Sequence, residues 1–404
     1  MLKNLLTLST GELLARGMHA LAFVLLARAL GEVALGQFGL ATAITSYALL
    51  VVMQGFDVIA MREVSRETGE LRTYVRQILG LRALLAAAAG AAIGAYVLVS
   101  RGDVTTGRLL LVLGLSYATN AMSPRWTFLA IEESRPLAVA GLLSQACFLL
   151  AAALIRSSAQ VLWVAGAQVA GEAVAATFLL WILWRRYGPL TPAFDRTFAA
   201  ALMRHSWPVT LSLWLGNMFY NFDVVMLGAM GKGVEIGIYL ACYRCVTVFT
   251  PLLAAFQNSA LPWLARSYPD YQSVRRRLYW LTVAATAVLG AAGLVIGVGA
   301  RDLLTLLFGA SYGGGDRILR VLVWVLPLQG ARALFRQLLL TYHLQRTDTR
   351  NVSLAVVTNI VLDFALIPRF GALGCAISTV CAETVFLACS AISVRRSISR
   401  RPVG

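Results

Sequence analysis

The chain has 404 residues, of which 59% are hydrophobic and 13% charged, and its mean hydropathy is +0.73. A soluble domain carries about a quarter charged residues, so the composition excludes a soluble globular core and points to a polytopic membrane protein. The formal net charge of +16 does not indicate nucleic-acid binding, because the basic residues fall in short patches between apolar runs, as orientation in a membrane requires.

A spanning helix needs about 20 mostly apolar residues. In chain order, the stretches that meet this are 10–31, 36–59, 83–100, 109–124, 136–155, 160–184, 205–229, 245–265, 278–300, 318–342, 352–368 and 372–394. The first reads TGELLARGMHALAFVLLARALG. Glu12 and Arg16 interrupt it, so it lacks the clean apolar centre of a cleaved signal peptide and is expected to be retained. Between the second and third, MREVSRETGELRTYVRQ (61–77) alternates charge at helical spacing, Glu63 with Arg66 for instance. It reads as a surface helix on the anionic inner leaflet. The six cysteines all sit in apolar runs, and the Cys242/Cys245 pair has no accompanying histidine cluster, so packing is expected rather than a metal site.

With the N-terminus inside, the inner segments hold 21 Lys or Arg and the outer loops 7. That asymmetry places both termini in the cytoplasm. Seven arginines remain within or at the edge of spans: Arg16, Arg28, Arg82, Arg244, Arg320, Arg332 and Arg336.

Residues 10–31 and 210–231 share Thr, Leu, Met, Val, Ala and Gly at 10/210, 13/213, 18/218, 24/224, 29/229 and 31/231. An offset of half the chain implies a duplication. Even-numbered repeats give two halves of the same orientation. The expected fold is therefore an all-α polytopic membrane protein with twelve transmembrane helices in two six-helix lobes, 1–200 and 201–404, around a central cavity. The charges do not follow the repeat: Arg16 faces Gly216, and Asp223 faces Phe23.

Charge inside a bilayer is costly and usually faces protein or a wet cavity. Glu12, Arg16 and His19 are spaced i, i+4, i+7 and share one helix face. Arg16 either pairs with Glu12 or lines a cavity. His19 either packs or couples a proton. Arg28, Arg82 and Arg320, near span ends, are expected to snorkel. Arg332 and Arg336 lie i, i+4 on one face beyond Pro327, with no acidic residue at helical spacing. They are the leading candidates for binding an anion. Asp223 and Arg244 could pair. Asp57 closes the second span, and Glu172, Asp363 and Glu383 are lone carboxylates that pair or bind a coupling cation. A net-positive intramembrane cavity suits a phosphate-bearing, lipid-linked substrate.

Five stretches, in order, resemble the polysaccharide transporter (oligosaccharide flippase) family of the multidrug/oligosaccharidyl-lipid/polysaccharide exporter superfamily. They are ARALGEVALGQFGLA (27–41), GFDVIAMREVSRE (55–67), NFDVVMLGAMGKGVEIGIYLACYR (221–244), LLTLLFGASY (303–312) and NIVLDFALIPRFGALGCAIST (359–379). The resemblance implies flipping of an undecaprenyl-diphosphate-linked oligosaccharide across the bacterial inner membrane by alternating access, without catalysis. It implies cavity arginines at Arg16 and Arg28, with Arg244, Arg332 and Arg336 from the second half. Glu12, His19, Asp57 and Asp223 are the candidate coupling residues. No cofactor or metal is expected, and transport would be coupled to H+, Na+ or the membrane potential. The partners implied are the lipid-linked glycan, membrane lipids and polysaccharide polymerase or assembly proteins. The chain leaves no room for the two extra C-terminal spans of peptidoglycan-precursor flippases, which argues against lipid II as substrate. The competing readings are a drug/cation antiporter of the same superfamily, which would want acidic residues in its cavity, and a membrane glycan polymerase or ligase, which would want catalytic groups on a long outer loop.

Overall fold

The computed structural model describes residues 2–66, 70–100, 102–266 and 271–397. Their regular secondary structure is helical throughout, with no strand among the described residues. The chain divides into two compact units, Met1–Asn217 and Met218–Gly404.

The first unit opens with α1 (Leu2–Met53). At 1.5 Å per residue its 52 residues would reach about 78 Å, far beyond a hydrocarbon core of about 30 Å. The helix is broken where Gly31 takes φ 74°, ψ 174°, backbone angles that glycine tolerates best. Gln54 and Gly55 (φ 41° and 62°) then turn the chain into α2 (Phe56–Arg66). The helices α3 (Leu71–Val99), α4 (Val104–Gly114), α5 (Ser116–Ala121), α6 (Arg125–Ala130), α7 (Ser134–Leu154) and α8 (Val161–Tyr187) follow. The last, α9 (Arg196–Ala229), crosses the boundary between the units.

One apolar core joins Leu26, Phe38, Ile93, Leu113, Tyr117 and Phe148. A second joins Phe56, Val64, Leu71, Val75, Ile78 and Trp126. The second includes part of the charged stretch 61–77, whose one face is apolar: α2 buries Val64 and α3 buries Leu71 and Val75, while Arg62, Glu70 and Arg72 are exposed. Residues 67–69 fall outside the described residues. Helices α1, α7 and α8 pack closely because glycines remove side chains at the crossings. A Cβ on Gly11 would stand 2.6 Å from that of Ala138, and one on Gly171 would stand 2.7 Å from the carbonyl oxygen of Ser144.

The second unit continues with α10 (Gly233–Thr247), α11 (Thr250–Arg266), α12 (Tyr271–Val298), α13 (Ala300–Phe308), α14 (Asp316–Leu322), α15 (Val325–Thr341), α16 (Gln345–Phe370) and α17 (Ala372–Ser397). Leu264, Leu278, Leu334, Leu338 and Val394 form its core.

Nine helical segments among the described residues are long and apolar enough to cross a membrane. Three features separate this number from the twelve expected. One segment, Thr10–Ser65, contains both of the first two expected spans. The fourth expected span is interrupted at Leu115 into α4 and α5, each too short alone. The seventh lies in α9, whose apolar residues are diluted by Asn217, Asn221 and Asp223.

Candidate functional site

In the first unit, α1, α5, α6, α7 and α8 enclose a pocket of about 280 Å³. Glu12 and Arg16 enter it from one face of α1, as their spacing predicts. Arg125 lies at the start of α6, Thr119 and Asn120 on α5, Gln145 on α7 and Glu172 on α8. Glu172 accepts hydrogen bonds from Asn120 Nδ2 (2.9 Å), Thr119 Oγ1 (3.1 Å) and Gln168 Nε2 (3.4 Å). This lone carboxylate of the sequence is therefore tied by neutral donors and stays acceptor-rich. One turn above Arg16, His19 Nδ1 is 3.1 Å from Gln145 Oε1, and its ring stacks on Phe148 at 5.6 Å.

Arg16 and Glu12 are exposed, and no ion pair joins them among the described residues. Arg16 is thus a cation in a polar recess with its fork of donors available. Arg28 is exposed and does not line this pocket. Sequence reasoning did not place Arg125 among the candidate site residues. The amide and hydroxyl pair Thr119–Asn120 at the end of a charge-free span was the available signal.

Two further expectations about this unit change. Arg82 does not snorkel. It is fully buried, with Nη2 2.7 Å from Asp57 Oδ1, and its guanidinium carbon lies 5.9 Å from the Phe56 ring. The turn at Gln54–Gly55 puts Asp57 in the first turn of α2, where a carboxylate is favoured, and aims it at α3. Asp57 is therefore held in an ion pair.

In the second unit, the Arg332/Arg336 pair is not an unneutralised cationic face. Arg332 Nε lies 3.2 Å from Glu383 Oε2 of α17, and its guanidinium carbon is 4.0 Å from the Phe386 ring centre. Gln329 Nε2 donates to the other oxygen of Glu383 at 3.0 Å. Arg336 Nε lies 3.3 Å from Asp348 Oδ2 of α16. Both carboxylates come from other helices, where spacing along one span cannot find them. Arg244 is half-buried on α10.

Asp223 does not take Arg244 as its partner. Its carboxylate accepts from the hydroxyls of Tyr239 and Thr379, and Oδ1 has no hydrogen-bond partner among the described residues. Next along α17, the Ser378 hydroxyl donates to Asp363, whose Oδ2 likewise has no partner among the described residues. Asn359 donates to Ser378 Oγ at 3.3 Å, and its own Oδ1 has none among them. The neighbours Ser378 and Thr379 thus bring two buried carboxylates into one polar cluster held by neutral groups.

These features define a multi-pass, all-helical membrane protein with a polar pocket in the first unit and a buried polar cluster in the second. Residues 1–268 match the family model described as polysaccharide biosynthesis protein. The match covers well over half of the chain, which therefore belongs to that family. The probable flippase AglR of Haloferax volcanii is 29% identical over 198 residues, 47% of this chain and 41% of the relative. The match thus spans about two fifths of the length of that curated relative. The fold is similar to that of the lipid II flippase MurJ in an inward closed conformation, with TM-score 0.78 and 14% identity over 96% of this chain and 87% of that one. It is also similar to an inward-facing multidrug resistance MATE family transporter of the MOP superfamily, with TM-score 0.74 and 13% identity over 95% and 94%.

Proposed function

We propose that this protein flips an undecaprenyl-diphosphate-linked oligosaccharide across the bacterial inner membrane by alternating access. In this reading it has twelve spans in two duplicated six-helix lobes, 1–200 and 201–404, and cytoplasmic termini. The observation that carries the reading is Arg16, a cation without an ion-pair partner among the described residues, in a polar pocket it shares with Arg125, Glu12 and Glu172. Arginine forks match phosphate oxygens and keep their charge at any cellular pH. Family membership and a relative named as a probable flippase support the same substrate class. The Asp223–Asp363 cluster is proposed to take the coupling ion, H+ or Na+. Its spare carboxylate and amide oxygens are hard acceptors, which suit such a cation. Polysaccharide polymerase or assembly proteins would act on the glycan delivered.

The test is flipping of a fluorescent undecaprenyl-diphosphate oligosaccharide in proteoliposomes. Wild type should flip it and Arg16→Ala should flip it slowly at unchanged protein level. Equal rates in the two proteins would overturn the role of Arg16, and no flipping by wild type would overturn the function.

One observation favours a second reading, a drug/cation antiporter. With Arg332 and Arg336 neutralised, the excess of free positive charge within the spans is smaller than the sequence suggests, and two buried carboxylates remain. Uptake of a cationic dye by the same proteoliposomes, with no flipping of the lipid-linked glycan, would select that reading.

A further inference from the structure

One side of α12 carries two cavities that join end to end. The first, about 880 Å³, runs from Arg275 and Arg276 along Tyr279 and Val283. The second, about 670 Å³, continues along Gly290, Gly293 and Gly297 and ends beside Arg320 and Trp324. Both include Thr286 and Ala287, so they form one groove. Its cause is local. The glycines leave no side chains along this side of α12, and the facing chain breaks between α14 and α15 just before Pro327. Backbone and side chains there approach closely: a Cβ on Gly293 would stand 3.0 Å from the carbonyl oxygen of Val323, and one on Gly290 would stand 3.6 Å from Pro327 Cβ.

The groove is apolar along its length and carries arginines at both ends. Arg275 and Arg276 are exposed at one end. At the other, Arg320 is 54% exposed with a partner at Asp316, 3.4 Å away. From Arg275 to Val298 the helix rises about 35 Å, the full thickness of a hydrocarbon core of about 30 Å. A phospholipid chain covers one leaflet, half that depth. A single long isoprenoid chain covers all of it.

We infer that this groove holds the polyprenyl chain of the lipid-linked substrate, with its diphosphate met by Arg275 and Arg276 at one face of the membrane and by Arg320 at the other. The inference rests on the proposed flippase function and deepens it. The tail stays against one helix while the head group changes sides. Charge complementarity selects an anionic amphiphile, and the groove's length selects the chain.

Ala287 is exposed at the junction of the two cavities, so Ala287→Trp narrows the groove without overpacking a core. Two arms test the inference on reconstituted full-length protein. In the first, undecaprenyl diphosphate bearing a terminal benzophenone is photolysed, and the labelled peptides are mapped. Label on 279–298 that is lost in Ala287→Trp supports the groove. Label elsewhere, or label displaced equally by dioleoylphosphatidylglycerol, overturns it. In the second, oligosaccharide diphosphates on undecaprenyl and farnesyl chains are compared. Ala287→Trp should slow the long-chain substrate about tenfold, as loss of roughly two buried methylenes would, and leave the farnesyl substrate unchanged. Wild-type rates for both would overturn the inference. If wild type flips neither, the flippase reading fails, and the labelling arm still decides what fills the groove.

Discussion

Arg332 of α15 and Glu383 of α17 form an ion pair at 3.2 Å, 9% and 1% exposed at their side chains, with Phe386 under the guanidinium and Gln329 on the second carboxylate oxygen. Such a pair is weak evidence for stability but strong evidence for mutual dependence. Removing one partner strands a buried charge at a cost of about 3–5 kcal/mol, while replacing both with apolar residues is often neutral. Arg332→Ala and Glu383→Ala should each lower the unfolding temperature in detergent and the amount of protein in the membrane. Arg332→Met combined with Glu383→Leu should recover most of the loss. Additive losses in the double variant would show that the two residues act separately.

Arg16 should behave in the opposite way. It is exposed, has no ion-pair partner among the described residues and sits in the pocket beside Arg125, so nothing buried depends on it. Arg16→Ala should leave thermal stability unchanged and slow flipping about tenfold or more, the loss of one charge-assisted hydrogen bond of about 1.5–3 kcal/mol. Arg16→Lys should restore part of the rate, because the charge returns without the planar fork. A drop in stability that matches the drop in rate would place Arg16 in the scaffold.

The contrast between these two arginines shows what the sequence could disclose. Periodicity along one helix put Glu12 and Arg16 on a common face, and both enter one pocket. The same reasoning failed for Arg332 and Arg336, because Glu383 and Asp348 approach from α17 and α16. It failed again for Arg82, whose partner Asp57 is aimed across by a turn at Gln54–Gly55. The apolar stretches were legible from composition. Their joining into one segment over Thr10–Ser65, and the break at Leu115, depend on backbone angles at single residues.

The Asp57–Arg82 pair makes a separate stability prediction. Arg82 is fully buried, and its Nε and Nη1 have no hydrogen-bond partner among the described residues, so Asp57 is the group that offsets its charge. Asp57→Ala should destabilise the first unit by about 3–5 kcal/mol. Arg82→Met should cost less, because Asp57 is 38% exposed and can rehydrate. Limited proteolysis within 54–66 would report the difference, and equal susceptibility of the two variants would contradict it.

Asp103 gives a pH signature outside the spans. Partial burial pushes its carboxyl up, but the backbone N–H and hydroxyl of Thr106 and the amide of Gln37 outweigh this and hold it below the ordinary range. A depressed folded pKa contributes stability above the unfolded value of about 3.9, and that stability is lost as pH falls through the folded value. Asp103→Ala should remove a helix cap worth about 1 kcal/mol at pH 7 and should flatten the acid limb of the stability curve below about pH 4. An acid limb of wild-type steepness in the variant would assign that loss to other groups.

Asp223 and Asp363 offer the last test, because stability and transport should move in opposite directions. Among the described residues, each is buried with one carboxylate oxygen unpartnered and only hydroxyl groups on the other. A buried charge without a cation is costly. If the cluster exists for a coupling ion, that cost is a functional one. Asp223→Asn and Asp363→Asn should each raise thermal stability, by about 1 kcal/mol or more, when measured without Na+ and at alkaline pH, where the buried carboxyls must carry their charge. The same variants should lose the dependence of flipping on an imposed H+ or Na+ gradient. Reduced stability together with gradient-dependent flipping would instead make the carboxylates structural acceptors for Tyr239 and Ser378. The ion that drives the wild-type protein would be the one whose gradient no longer accelerates either variant.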